Sequence, residues 1–116
     1  MKKTVITFAA LQAIATANRA GFTIDAKTLQ PITKGFAVAI AETQNSFGAK
    51  GAKKVIQTAN KRKEINAFGG WYNTDNKKYY FDAVIVCDNL QTAIEIGKAN
   101  KQIAVFDLEN LQEIRL

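Results

Sequence analysis

Between residues 43 and 78 the chain places Lys50, Lys53, Lys54, Lys61, Arg62, Lys63, Lys77 and Lys78 against only Glu64 and Asp75, eight cations to two acids. Residues 79–116 carry three cations and six acids, so the formal +6 of the whole chain is matched by the central segment alone. Such a concentration of positive charge attracts phosphate backbones or an acidic protein surface, and the attraction weakens as salt rises. Phe68, Trp71, Tyr72, Tyr79 and Tyr80 lie in or beside the same stretch. Rings next to cations stack on nucleic-acid bases, at ~1–3 kcal/mol per base, or anchor a protein interface. The opposing reading is structural, because pleat alternation turns half of these rings inward and cross-strand ring pairs stabilise a hairpin without any ligand. Trp71 and Tyr79 lie nearest the turn-forming run Asn73-Thr-Asp-Asn-Lys-Lys78 and are expected to be exposed. The expected partner-binding set is therefore the eight cations with Trp71, Tyr72 and Tyr79.

Two further patterns invite chemistry. Glu42-Thr-Gln-Asn-Ser-Phe-Gly-Ala-Lys-Gly-Ala-Lys-Lys54 is a glycine-containing loop running into a helix, where backbone amides could hold an anion beside Lys50 or Lys53. It is not a Walker A loop, since Gly48 and Gly51 are wrongly spaced. An N-cap at Asn45 or Ser46 accounts for most of it. Glu42, Asp82 and Asp107 each lie near a predicted strand end, but nothing in their spacing makes them converge as a general acid and base. With no His and a single Cys, Cys87, the chain lacks a structural zinc set, an intrachain disulfide, a Ser-His-Asp triad and a Cys-His dyad. No metal or cofactor is expected, and no catalysis.

The elements that position these residues follow from periodicity. At 116 residues, 47% apolar and 22% charged, with one proline and seven glycines, the chain reads as one α+β domain and not as a disordered or low-complexity segment. Met1-Lys-Lys and the apolar run to Ala17 have the outline of a secretory signal. Gln12, Thr7 and Thr16 interrupt that run, and Phe8, Leu11, Ile14 and Ala15 recur on one helical face, so an amphipathic helix capped near Thr4 is preferred. No run is long enough to span a membrane, and an unpaired Cys87 suits a reducing interior, which makes the cytoplasm the expected compartment.

Ile14-Ala-Thr-Ala-Asn-Arg19, Ile56-Gln-Thr-Ala-Asn-Lys61 and Ile96-Gly-Lys-Ala-Asn-Lys101 share one pattern about 40 residues apart. Each is expected to end a helix, with Ile in the core, Asn taking the left-handed turn and the cation beside the free carbonyls. Ala52, Val55, Ile56 and Ala59 mark the buried face of the second helix, and Leu90, Ala93, Ile94 and Gly97 that of the third, which Asp88 and Gln91 would open as a capping box. Asp25, Leu29, Gln30 and Ile32 recur as Asp107, Leu111, Gln112 and Ile114 at a constant offset of 82, and both segments read as strand, turn, strand. Phe36–Ala41 and Phe81–Cys87 are apolar on both faces and are expected to be central and covered. The expected architecture is three helices packed on a mostly antiparallel sheet of about six strands. It arises from helix-strand-strand repeated three times, in units near 4–42, 46–87 and 88–116 of a single domain. Gln112–Leu116 is the candidate edge.

At Gly69-Gly-Trp-Tyr-Asn73, Tyr79-Tyr-Phe-Asp82, Gln102-Ile-Ala-Val-Phe-Asp-Leu-Glu-Asn110 and Glu113-Ile-Arg-Leu116, the chain resembles small, mostly uncharacterised accessory proteins carried by phages and mobile elements. The likeness covers roughly the C-terminal half and brings no catalytic residues. It implies a protein that binds and disables a host factor, a group that includes anti-CRISPR and other anti-defence inhibitors. The expected function is a non-enzymatic binding protein that occludes a host protein or nucleoprotein through its basic, aromatic-rich central unit. The alternative is an RNA- or DNA-binding protein in which Lys and Arg hold phosphates and Trp71 or Tyr79 stacks on bases. A self-assembling module pairing through its edge strand is the third reading, and oligomeric state stays open.

Overall fold

The first and third helices begin where a side chain takes up a free amide, and the second begins without one. The computed structural model describes residues 6–116. Helix α1 (Phe8–Ala17) starts where the Thr7 hydroxyl accepts from the Ala10 amide at 3.1 Å. The expected cap, Thr4, lies outside the described residues. Leu11 and Ala15 are buried, with Phe8 and Ile14 packed beside them. Helix α2 (Gly48–Lys61) buries Gly51, Ala52, Val55, Thr58 and Ala59. Helix α3 (Leu90–Ala99) opens with the Asn89 carbonyl oxygen accepting from the Thr92 amide at 3.1 Å, so the cap is Asn89 and the expected Asp88–Gln91 box does not form. Its buried face is Ala93 and Gly97, and Leu90 is 38% exposed. Among the described residues no helix is long and apolar enough to cross a membrane.

The repeated helix ending is only partly shared. In α1 and α3 the asparagine amide reaches back four residues, Asn18 to the Ile14 carbonyl at 2.9 Å and Asn100 to the Ile96 carbonyl at 3.0 Å. The Ile96 carbonyl also accepts from the Asn100 backbone amide at 3.0 Å, so there the side chain adds a second bond to one acceptor. Neither asparagine is left-handed, with φ of −133° and −93°; after α3 that conformation falls on Lys101. Asn60 lies inside α2, which runs on through Lys61.

The strands are β1 (Phe22–Asp25), β2 (Phe36–Ala39), β3 (Ser46–Phe47), β4 (Ala67–Asn73), β5 (Lys78–Cys87), β6 (Ala104–Asp107) and β7 (Gln112–Arg115). All pair antiparallel in the order β1-β4-β5-β2-β6-β7. Strand β3 pairs with β5 beyond β2, at Ser46–Phe81 and Phe47–Tyr80. The sheet thus has seven strands where about six were expected. Helix-strand-strand holds for α2-β4-β5 and α3-β6-β7. In the first unit the return from β1 makes only a single bridge, Ile24 with Pro31, and β2 and β3 are additional strands. Strand β7 is at the expected edge.

Three turns repeat one geometry. A side-chain oxygen at the strand end, on Asp25, Asn73 or Asp107, accepts from backbone amides two or three residues on. Four residues after it comes a residue with positive φ: Leu29 at 61°, Lys77 at 60° and Leu111 at 53°. The offset of 82 therefore reports a shared turn, which the Asn73 hairpin shares as well.

Pleat alternation makes two layers. Ile24, Phe68, Phe81 and Ala83 pack against α1 and α2, while Val38 and Val105 pack against Ala93 of α3. All three helices sit on this one face. Strands β2 and β5 are central, as expected, but helices cover only one side of them. Helix α2 approaches β3 closely at Gly51, where a Cβ would lie 2.5 Å from the Ser46 carbonyl carbon. Because that neighbour is backbone, Gly51→Ala is expected to cost about 1–3 kcal/mol of stability in urea melts. An unchanged midpoint would show that α2 lifts off β3 with little resistance.

Candidate functional site: a groove across the uncovered sheet face

The face turned away from the helices is built from the other half of each strand. Ala37 and Ala39 of β2, Gly69 of β4, Val84 of β5 and Ala104 of β6 make a floor with almost no side chains. Trp71 rises on one side and Phe106, Leu108 and Leu111 on the other, enclosing about 830 Å³. That lies within the ~300–1,000 Å³ usual for small-ligand sites. A second recess of about 340 Å³, lined by Gln44, Asn45, Asn73 and Gln102, adjoins it and shares Ala39, Trp71 and Asp82. No helical residue borders either recess.

Asp82 stands in mid-strand at the groove floor, opposite Gly69 across the β4–β5 pair. Among the described residues its carboxyl makes no salt bridge and has no charged or hydrogen-bonding neighbour that shifts its titration. Desolvation alone pushes its pKa up to about 6. Among the described residues the other charged side chain lining the groove is Glu113, which is paired with Arg115 at 3.7 Å, so Asp82 is the unpaired charge of a groove in a chain of net charge +6.

Leu111 adds a second sign of function. Its positive φ costs a bulky residue roughly 1 kcal/mol, yet it is 74% exposed and packs into nothing that offsets the strain. Leu29, in the matching turn, is packed against the core. Same turn, same residue, different environment: Leu111 stands at the groove rim.

Beside the groove runs a row of rings. Tyr80 stacks on Trp71 at 5.2 Å with planes 19° apart and meets Phe47 at 5.5 Å. The Lys78 ammonium lies 4.1 Å from the Phe47 ring centre, and the Asn76 amide donates to the Tyr80 hydroxyl at 2.8 Å. Phe47 is 40% and Trp71 44% exposed. The expectation that Tyr79 is exposed needs correction. Tyr79 and Tyr72 face the helix side, where Tyr79 packs on the core, the two rings touch at 4.7 Å, and the Arg19 guanidinium lies 4.1 Å over Tyr72. On the groove side Trp71 has instead the half-buried Tyr80, its direct cross-strand partner, and near it the exposed Phe47, which sequence reasoning did not single out.

The central cations separate from the rings. Lys50, Lys53, Lys54 and Lys61 are exposed on the outer face of α2, on the side of the sheet away from the groove, and Lys63 follows the helix. Arg62 is occupied, bonded to Glu64 at 2.8 Å and Glu42 at 3.2 Å. Lys77 and Lys78 belong to the β4–β5 turn and share its end with the ring row. Residues 50–80 are thus two surfaces on opposite sides.

The three candidate carboxylates do not meet: Glu42 pairs with Arg62, Asp107 holds its turn through Glu109 and Asn110, and Asp82 is alone in the groove. The anion-cradle loop also differs from expectation. Phe47 occupies the cap position of α2 without a side-chain cap, Asn45 is left-handed, and the Ser46 hydroxyl is buried without a hydrogen-bond partner. Gly51 is there for contact with β3. Compared with protein-family models, curated proteins and solved structures, the chain matches none.

Because the folded pKa of Asp82 lies above the ordinary 3.8, the folded state holds its proton more tightly than the unfolded chain. This carboxyl then lowers stability progressively as pH rises from about 4 through about 6. Asp82→Asn is expected to stabilise the protein by up to about 3 kcal/mol above pH 7 and by little below about pH 4. Urea melts across pH check it, and a pH-independent difference would contradict the burial.

Proposed function

We propose that this protein works by binding and not by catalysis, occluding a host protein or nucleoprotein through the ring row at the turn end of the β4–β5 hairpin. The supporting observation is the contiguous row Phe47, Tyr80 and Trp71 with Lys78 beside it, two of its rings about 40% open. Large, rigid aromatic side chains next to a cation are the residues that dominate protein interfaces. The separation of Glu42, Asp82 and Asp107 supports the non-enzymatic reading. The resemblance to phage and mobile-element accessory proteins adds host defence machinery as the partner class.

The test is affinity capture from host lysate with quantitative mass spectrometry. Phe47→Ala combined with Lys78→Glu is expected to reduce capture of the partner at least about tenfold. Charge reversal of Lys50, Lys53 and Lys54 on the far side of the sheet is expected to leave it. The opposite pattern would move recognition to α2.

A second reading rests on Lys50, Lys53, Lys54 and Lys61, which make no salt bridge among the described residues and share one face of α2. Such a face suits phosphate-backbone contact. Labelled DNA and RNA titrated at several salt concentrations would then give a log-log slope of about −0.7 to −0.9 per phosphate contact. A flat slope would remove this reading.

A further inference from the structure

We propose that the groove on the uncovered face is a binding pocket for a small organic cation, an ammonium or guanidinium carried on an apolar body, with Asp82 as its counter-ion. This goes beyond the ring-row reading and does not depend on it.

A carboxylate taken from water costs several kcal/mol unless a cation or hydrogen-bond donors replace the hydration. Among the described residues none is bonded to Asp82: its neighbours on the floor are Ala39, Gly69 and Val84, and the amide side chains of the adjoining recess, Gln44, Asn45, Asn73 and Gln102, make no hydrogen bond to it. Elsewhere the chain does pair its acids where geometry allows, as Glu42 and Glu64 do with Arg62. Among the described residues no cation lines the groove. The missing charge must come from outside. Its carrier is apolar because the walls are: Trp71, Phe106 and Leu111 offer ring faces and aliphatic surface, and an aromatic face within reach of a cation adds its own attraction. The depth comes from residues that lack side chains. At Gly69, on the groove floor, a Cβ would lie 3.3 Å from a Val84 methyl and 3.4 Å from the Phe22 carbonyl oxygen, so even one methyl group there would crowd the floor. A concave site of about 830 Å³ suits a small molecule more than a flat protein surface.

Binding is expected to follow the ionisation of Asp82. Strands β2, β4 and β6 present no titratable group to it from this face; β7 contributes Glu113 and Arg115, and β5 itself carries Tyr80 and Lys78 on the same face. Glu113 and Arg115 offset each other as an ion pair at 3.7 Å, and Lys78 is drawn over the Phe47 ring.

The chain's single tryptophan, Trp71, stands in the groove wall and reports occupancy by its fluorescence. Phenethylammonium and butylguanidinium serve as probes, with 2-phenylethanol as the neutral twin. At least one cation is expected to bind at pH 7.5 with Kd below ~1 mM, and the alcohol at least about tenfold more weakly. Lowering the pH to about 5 should weaken the cation about tenfold, since a group titrating near 6 is then largely protonated. Asp82→Asn, a variant expected to gain stability, should abolish the preference for the cation over the alcohol. The Phe47→Ala, Lys78→Glu variant should keep it, which separates this site from the capture surface. No binding by either cation, equal binding of the alcohol, or affinity unchanged in Asp82→Asn would each overturn the assignment. Binding of an N-blocked apolar peptide bearing one lysine, with neither free cation bound, would also overturn it and make the groove a docking site for a partner's side chain.

Discussion

Strand β5 is the element on which every other one depends. Its backbone pairs with β4 through seven residues, with β2 at its Cys87 end and with β3 at its Lys78 end. Between the two shorter partners the ladder is closed at Ala83, whose amide donates to the buried Thr43 hydroxyl at 3.1 Å and whose carbonyl accepts from the Ile40 amide at 3.2 Å. Once those bonds fix the plane of β5, the two-residue pleat assigns its side chains. Phe81, Ala83 and Ile85 go to the helices, and Tyr80, Asp82 and Val84 go to the groove.

That division also separates the charge. The lysines of α2 point outward from the covered layer, where water solvates them, and Arg62 is held between Glu42 and Glu64. On the other layer a carboxylate lies in a recess of alanine, glycine and valine. A +6 chain therefore presents two surfaces of different character, a lysine-rich face whose charge acts over a distance and a recess around one desolvated carboxylate. Exposed lysines without salt bridges among the described residues make the first; desolvation dominates the second.

The uncovered face differs from the covered one in how its residues are sized. Where α1 and α2 pack, the sheet offers Ile24, Phe68 and Phe81, which fill the space beneath the helices. On the groove side the equivalent positions are Thr23, Gly69 and Asp82, with Ala37 and Ala39 across the strand. Small residues leave a hollow, and the large ones are confined to the rim as Trp71, Phe106 and Leu111. The strained, exposed Leu111 and the stacked Trp71–Tyr80 pair belong to this rim.

Much of the architecture was legible before any coordinates. Three-and-four spacing marked all three helices, the Asp-to-Leu spacing marked two turns of one kind, and the edge position of the last strand followed from chain order. What stayed hidden was parity and pairing. Strand β5 is apolar at consecutive positions, so its sequence does not say which alternate set the helices choose: Tyr79 turns to the helices and Tyr80 to the groove, and the exposed ring beside Trp71 is Phe47. Arg62 counted as a free cation until folding brought Glu42 to it across 20 residues of chain. Composition and periodicity by themselves determined an α+β chain with a basic centre. Only the tertiary structure decided that three helices share one face and leave Asp82 unpaired on the other, because local spacing says nothing about which residues distant in the chain will exclude water together.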